Sequence, residues 1–600
     1  MGGPFRQNQW LTQPVLFCAN SKMMQWELWS IDPNWVSEGG SGREAIMTRL
    51  TIFTARRIRT MDPGRPLASA VAVKDGKIVS VGSLDSMKPW LEREPFDVDE
   101  RYAEKVIFPG FIDPHTHFRL SGVLMSLTYV GPIDQHGPNG FDHGVPSREA
   151  VLERLRAAAN TGSVDEPIVA WGLDPAVQGG HLDRDTLDSI STTRPIWVLA
   201  YAPHVVAVNS PMLKRIGVDE TTNVYGIERY PDGRLNGQFI ELGAVHVAMR
   251  AVAQYLGRPT AGVEAIWALG KLAQSVGITA TADMGFGTMG FETEWAEHQQ
   301  VVNDEEFPMR MFLVPVEGGI RRAHGAASTQ YLLDLKSQNT DKLAFHGVKF
   351  INDGSYPAMT LRLNYPGYLD GHEGHRGETP WDELFETMLP YWKAGVQIHS
   401  HANGDETVQV TLDVLERLQL AHPRFDHRFT IEHYCISTPA QARRLKALGG
   451  LASVNNYFVH FRSQLHSTQG YGPDRAEATA RLGSLAREGV TFALHSDFSL
   501  VLTPISPLTA VWIAVNRIGL DGETVLAPGE RIDVDRAMRA ITVDAAHILS
   551  RDHVMGSIEA GKLADFTILD DDPYDVDPLS IRDIRVHGTV LGGKVFETHA

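Results

Sequence analysis

The sequence predicts an α/β chain built on a parallel (β/α)8 barrel of the TIM type, with a small β-sandwich domain made from both termini and an inserted cap after the first barrel strand. Three observations carry this expectation. Eight strand-like segments recur along the chain with helical segments between most of them, the alternation that closes a parallel barrel. Short apolar strands stand at both ends. The interval from about 120 to 275 is too long for a single crossover.

Bulk properties set the bounds. A length of 600 residues exceeds one simple core and suggests about three to four domains, or one large barrel with accessories. Hydrophobic content of 43% and charged content of 21% describe an ordinary globular protein. A net charge of -18 argues against a nucleic-acid partner and against an anionic membrane surface, but it does not choose a substrate; the expected partner is a small molecule, and a homo-oligomer is allowed. Two cysteines, Cys18 and Cys435, cannot build a disulfide framework. With no secretory apolar region, the expected compartment is the cytoplasm, and no apolar run reaches the length of a membrane span.

Residues 1–46 carry scattered Trp, Gln, Asn and Gly without helical or strand period and read as a poorly ordered N-terminal extension. Strand-like Leu50–Thr54 follows. Ala68–Val73 and Lys77–Gly82 flank Asp75-Gly76, a hairpin signal around a tight turn. Strands of the same style return at Ala564–Leu569 and Ile584–Phe596, so residues 47–105 and 553–600 are expected to form the composite β-sandwich domain.

Residues 106–552 form the expected barrel. Its first strand is Val106-Ile-Phe-Pro-Gly-Phe-Ile-Asp-Pro-His115-Thr-His117, broken by Pro109-Gly110. Strand side chains alternate with period 2, so His115 and His117 share a face and can offer two imidazoles to one ion. The later strands are read at 278–284, 309–316, 347–351, 396–401, 429–433, 451–455 and 491–497, with helices such as 407–420 and 439–448 between them. Strand-like 167–171 and 196–202 fall inside the inserted cap.

A barrel of this kind places its chemistry at the C-terminal strand ends, and those ends carry His115, His117, Lys349, His401, His433 and Asp497. Taken singly, each has an ordinary structural explanation. Together, four imidazoles and a carboxylate on one mouth make a ligand set suited to zinc or a similar divalent ion.

The motifs Pro109–His117, Gly347-Val-Lys-Phe-Ile-Asn-Asp-Gly354, His401-Ala-Asn-Gly-Asp405, Ile431-Glu-His433 and Ser496-Asp497 resemble those of the amidohydrolase superfamily, and within it the branch of N-substituted formamide deformylases. The resemblance covers about Leu50 to the C-terminus and says little about substrate. It implies that His115, His117 and Asp497 hold one divalent ion, most simply Zn2+, and that His401 and His433 hold a second. It further implies that Lys349, carboxylated by carbon dioxide, bridges them. The apolar neighbours Val348 and Phe350 favour a neutral, carboxylatable amine; the alternative is an uncarboxylated lysine paired with Asp353.

Other residues carry two readings each. His399 and His495 share the inward face of their strands and are expected one layer deeper, as supporting or filling groups. Asp405 either orients an imidazole, with Asn403 beside it, or opens a helix. In the insertion, Trp171, His204 and Glu241 are candidate substrate-binding residues, each with a structural reading beside it. Cys435 has no base in its pattern and is not expected to be a nucleophile.

The implied reaction is hydrolysis of a non-peptide C–N bond (carboxamide, N-formyl or N-acyl amine) by metal-bound hydroxide, with Asp497 as general base and then acid. A lactonase, phosphoesterase or decarboxylase would use much of the same ligand set. A non-catalytic assembly protein on the same fold is the other alternative, although such a protein would ordinarily have lost ligands.

Overall fold

The computed structural model describes residues 49–600 apart from 134, 138–139, 202–203, 257–260, 289, 499–500, 502 and 599–600, so the extension 1–46 lies outside the described residues. Its two parallel sheets organise the rest. Phe111–Thr116, Ile278–Phe286, Arg310–Pro315 and Leu343–Phe345 form a four-stranded sheet in which Ile278–Phe286 pairs with both Phe111–Thr116 and Arg310–Pro315. Gly347–Ile351, Gln397–Ala402, Thr430–His433, Leu451–Val454 and Phe492–Leu494 form a five-stranded sheet in chain order.

The strands therefore form two ladders where a single closed one was expected. The physical break is His346: Leu343–Phe345 pairs with Met311–Leu313, whereas Gly347–Ile351 pairs with Gln397–His401. Two seams bring the ladders together. An isolated parallel bridge joins Val316 to Lys349, and at the far edges the Asp497 amide donates to the His115 carbonyl at 3.0 Å. Side chains on these strands are almost all buried, as expected where helices cover a parallel sheet.

Helix signals hold at residue level. Asp405–Ala421 follows the His401 strand, buries Val408, Leu412, Leu415 and Leu418 along one face, and sits beside Gln397–Ala402. Pro439–Ala447 starts with a capping box in which Thr438 and Gln441 each accept from the other's backbone N–H, with Pro439 in the first turn where its missing donor costs nothing.

Both ends of the described chain contribute to one eight-stranded sheet, in the order Lys594–Glu597, Val586–Leu591, Phe566–Leu569, Val106–Pro109, Leu50–Arg59, Leu67–Lys74, Lys77–Gly82, with Phe96–Asp99 on Leu50–Arg59. The hairpin at Asp75-Gly76 has φ of 52 and 74 degrees, the left-handed pair that lets two strands meet without splaying. Val106–Pro109 is the joint between the ends, pairing with Arg57-Ile58 on one side and Phe566–Leu569 on the other. Pro109-Gly110 does more than interrupt a strand: it passes the chain from this sheet to the parallel one. Between Phe118–Leu124 and Ala261–Ser275, a six-stranded sheet runs in the order Ile227–Arg229, Leu235–Ile240, Val205–Val208, Ile196–Ala200, Ile168–Leu173, Thr128-Tyr129. Among the described residues no helix is long and apolar enough to cross a membrane.

Candidate metal centre

The strand carrying His115 positions the first candidate ligand twice over. The His115 amide donates to Asp113 Oδ1 at 3.3 Å, while the Ser496 hydroxyl donates to Asp113 Oδ2 at 2.5 Å. One buried carboxylate thus ties the His-x-His turn to the Ser496-Asp497 turn. Burial pushes Asp113 up to about 7, against the hydrogen bonds that favour its ionised form.

His115 itself is fully buried, and its Nδ1 lies 2.6 Å from Glu432 Oε2. A carboxylate at that nitrogen fixes the tautomer with hydrogen on Nδ1 and a lone pair on Nε2. That Nε2 faces Asp497 Oδ1 at 3.4 Å and Lys349 Nζ at 3.2 Å. His117 Nε2 lies 3.0 Å from the same Asp497 oxygen, and His433 Nδ1 lies 3.7 Å from Asp497 Oδ2. Asp497 Oδ1 is buried without a hydrogen-bond partner among the described residues. Neutral imidazoles and a carboxylate converging in a buried site suit a divalent cation, and Lys349 Nζ is the donor that His115 Nε2 meets beside them.

Burial holds His115, His401 and His433 well below the ordinary histidine range, so the three rings stay neutral and keep lone pairs for ligation. Ligand atoms within 4.8 Å of one another form two overlapping groups, His115-His117-Asp497 and His115-His433-His495. His495, expected one layer deeper as a supporting or filling group, falls in the second of these groups. Its ring stacks on His115 with centroids 4.4 Å apart, and burial pushes it down to about 4.

His401 and His433 adjoin, with ring centroids 4.5 Å apart. His401 Nε2 lies 3.1 Å from the Gly354 carbonyl and 2.9 Å from Asn403 Nδ2, so Asn403 orients that imidazole. Asp405 instead opens Asp405–Ala421 and accepts from the Asn364 amide at 2.9 Å. Gly404 has its own reason in the motif: a Cβ there would overlap the Arg362 carbonyl oxygen. Lys349 is buried, and burial pushes its ammonium down to about 8. Asp353, its alternative partner, is occupied elsewhere, accepting from the Asn403 and Gly404 amides at 3.0 and 2.9 Å.

The backbone at the site is strained. His433, Tyr434 and Asp497 have φ of 73, 48 and 57 degrees, left-handed values that cost non-glycine residues about 1–3 kcal/mol each. The turn after each strand thereby aims its side chain inward.

These groups floor a cavity of about 90 Å³ lined by His117, Lys349, His401, His433 and Asp497, with Leu120, Val245, Met249, Met284, Val316 and Val501 as apolar wall. His204 joins the lining and bonds through Nδ1 to Glu241 Oε2 at 2.6 Å. Burial alone would depress its imidazolium, but the Glu241 carboxylate outweighs that and raises it above the ordinary value. Trp171 is placed elsewhere, buried against Tyr129 and Tyr201 with ring centroids 5.3 and 5.9 Å away, and it does not line the cavity. Cys435 is buried, its Sγ 3.0 Å from Asn403 Oδ1, and burial pushes the thiol well up, which suits an inert core group.

Glu432 and Asp113 were not singled out by sequence reasoning. The only signal was their place inside motifs already quoted, one residue before His433 and two before His115. His399 proves to be the second partner of Glu432, Nδ1 to Oε1 at 2.6 Å.

Gly285 gives a steric test of this arrangement. A Cβ there would lie 2.6 Å from His117 Nδ1, closer than real contacts allow. Gly285→Ala should displace His117, cost about 1–3 kcal/mol of stability through overpacking, and lower metal content, as melting temperature and elemental analysis would report. Unchanged metal content would mean that His117 is no ligand.

The profile of the amidohydrolase family matches residues 103–596. Protein LONG AFTER FAR-RED 3 of Arabidopsis thaliana is 28% identical over 94% of this chain and 94% of its own length. N-substituted formamide deformylase of Arthrobacter pascens is 24% identical over 91% of this chain and 98% of its own. Among solved structures, an uncharacterized metal-dependent hydrolase of Pyrococcus horikoshii superposes with a TM-score of 0.66 at 21% identity, covering 88% of this chain and 99% of that one.

Proposed function

The chain belongs to the amidohydrolase family, and from that premise we propose that it hydrolyses a non-peptide C–N bond in a small carboxamide, an N-formyl or N-acyl amine. The observation that carries this reading is the buried opposition of His115 Nε2 and Asp497 Oδ1, with Asp497 lining an apolar-walled cavity. Similarity along nearly the whole length of N-substituted formamide deformylase supports the substrate class. In this reading the two parallel ladders are halves of one (β/α)8 barrel, the eight-stranded sheet is the β-sandwich domain, and the six-stranded sheet is its cap.

His115, His117 and Asp497 would hold one divalent ion, and His401 and His433 a second, with carboxylated Lys349 between them. When bound, such ions supply Lewis-acid polarisation of a carbonyl and a water acidic enough to attack near neutral pH. Glu432 keeps the His115 lone pair aimed inward. Asp497 takes the proton released as water adds to the carbonyl carbon and returns it to the departing nitrogen. The walls formed by Val245, Met249 and Met284 hold the apolar substituent and exclude bulk water.

Purified protein should contain up to two zinc-like ions and lose activity to chelators, and the test is elemental analysis beside turnover of N-formyl and N-acyl amines. Active protein without stoichiometric metal would end the reading. Hydrolysis of lactones or phosphoesters with no amide turnover would move it to another bond class. Bicarbonate-supplied, metal-replete protein should carry a carboxylated Lys349, seen in electron density of the metal-loaded crystal. A free amine in that density excludes the bridge.

A further inference from the structure

The inserted segment brings a histidine to the cavity with a carboxylate behind it. Val205 pairs with Ile240 in the antiparallel ladder, so the next residues outward, His204 and Glu241, face one another across the strand ends. Two bonds lock them there: the Glu241 amide donates to the His204 carbonyl at 2.7 Å, and His204 Nδ1 meets Glu241 Oε2 at 2.6 Å. Glu241 holds this place at a φ of 64 degrees, a left-handed strain the surrounding contacts must sustain. Both residues are 7% exposed, and Glu241 Oε1 is buried without a hydrogen-bond partner among the described residues.

Neither residue belongs to the candidate ligand set, yet His204 lines the same cavity as Lys349 and Asp497, its ring centroid 6.1 Å from that of His401. With Nδ1 committed to Glu241, Nε2 is the ring's remaining polar atom for a cavity occupant. Glu241 stands behind the imidazole, lining a neighbouring pocket with Tyr225 and Arg376, so of the pair only His204 meets the cavity.

We propose that His204, held by Glu241, hydrogen-bonds the scissile amide of the substrate through Nε2, making His204 a substrate-binding residue and Glu241 its positioning residue. The proposal rests on the amide reading of the site for its ligand, and it narrows that class to compact amides whose polar atoms reach both the ligand cluster and the insertion. The apolar substituent then lies along Val245 and Met249, which the same helix Glu241–Met249 supplies.

The test is calorimetric binding of N-butylformamide to metal-loaded protein in an Asp497→Asn background, where turnover is suppressed. Adding His204→Ala, or His204→Phe, which fills the space without the nitrogen, should weaken binding about tenfold, the worth of one hydrogen bond. Glu241→Ala should behave like them, whereas Glu241→Gln, which can still accept from Nδ1, should bind within about threefold of the background. In the otherwise native chain, His204→Phe should raise KM by a similar factor with metal content unchanged. No binding in the background, or equal binding after both His204 substitutions, overturns the proposal. Turnover of the amide panel by the native chain judges the amide reading separately: binding that depends on His204 without any amide turnover keeps His204 as a ligand-binding residue held by Glu241 and removes the amide reading, and with it the claim that the bonded amide is the scissile one.

Discussion

Asp497→Asn is expected to lower turnover by at least about 10²- to 10⁴-fold, the usual worth of general acid–base catalysis. Asn keeps the size of the side chain and one carbonyl oxygen, but it cannot take and return a proton. Backbone strain is not the variable, since Asn tolerates the left-handed φ of 57 degrees found there. Asn leaves only a neutral oxygen or an NH2 where His117 Nε2 and His115 Nε2 face a carboxylate oxygen at 3.0 and 3.4 Å, so affinity for the first ion should fall as well. Comparison at equal metal loading separates the two effects. His401 and His433 are untouched, and metal at their side should survive. Turnover close to that of the native chain would falsify Asp497 as the proton carrier, because a merely solvated carboxylate at a strand end predicts that result.

Glu432→Gln should cost about 10- to 100-fold in metal affinity, the usual penalty for removing the group that orients a ligating histidine. Glu432 is fully buried and serves His115 and His399 with one oxygen each, both at 2.6 Å. Burial opposes its ionisation, but the hydrogen bond and charge of His399, with Lys349 behind them, outweigh it and hold the carboxyl below its ordinary value. Gln can replace only one acceptor. Its NH2 then confronts an Nδ1–H, which favours the other tautomer and puts hydrogen on a nitrogen needed as a lone pair. Glu432→Leu, which leaves both imidazoles unpaired in the interior, should add a stability loss of about 1–3 kcal/mol for each. Metal competition with a chelator and thermal melting measure the two terms. Unchanged affinity in Glu432→Gln would mean that His115 needs no orienting partner.

Much of the candidate site was legible in the chain because its logic is local. Period-2 alternation puts His115 and His117 on one face, and the ends of parallel strands gather Lys349, His401, His433 and Asp497 without any knowledge of long-range contacts. The hairpin at Asp75-Gly76 was legible for the same reason, since its signal lies within a few residues of the structure it makes. Asp113 and Glu432 were not, although they sit inside the same motifs. Their partners are Ser496, His115 and His399, and no spacing along the chain states that residue 113 meets 496 or that 432 meets 115.

Residue order by itself determined which segments become strands, which face of each strand turns inward and which chemical groups gather at the strand ends, because propensity and periodicity act over a few residues. Only the tertiary structure decided the partners. Register across the ladders places His401 beside Glu432 and Lys349 beside His399, the change of sheet at His346 adds the strand Leu343–Phe345 before the expected one at 347–351, and the end of an antiparallel pair in the insertion sets His204 against Glu241 while burying Trp171 away from the cavity. Those outcomes depend on packing free energies summed over contacts distant in sequence, which no local pattern encodes.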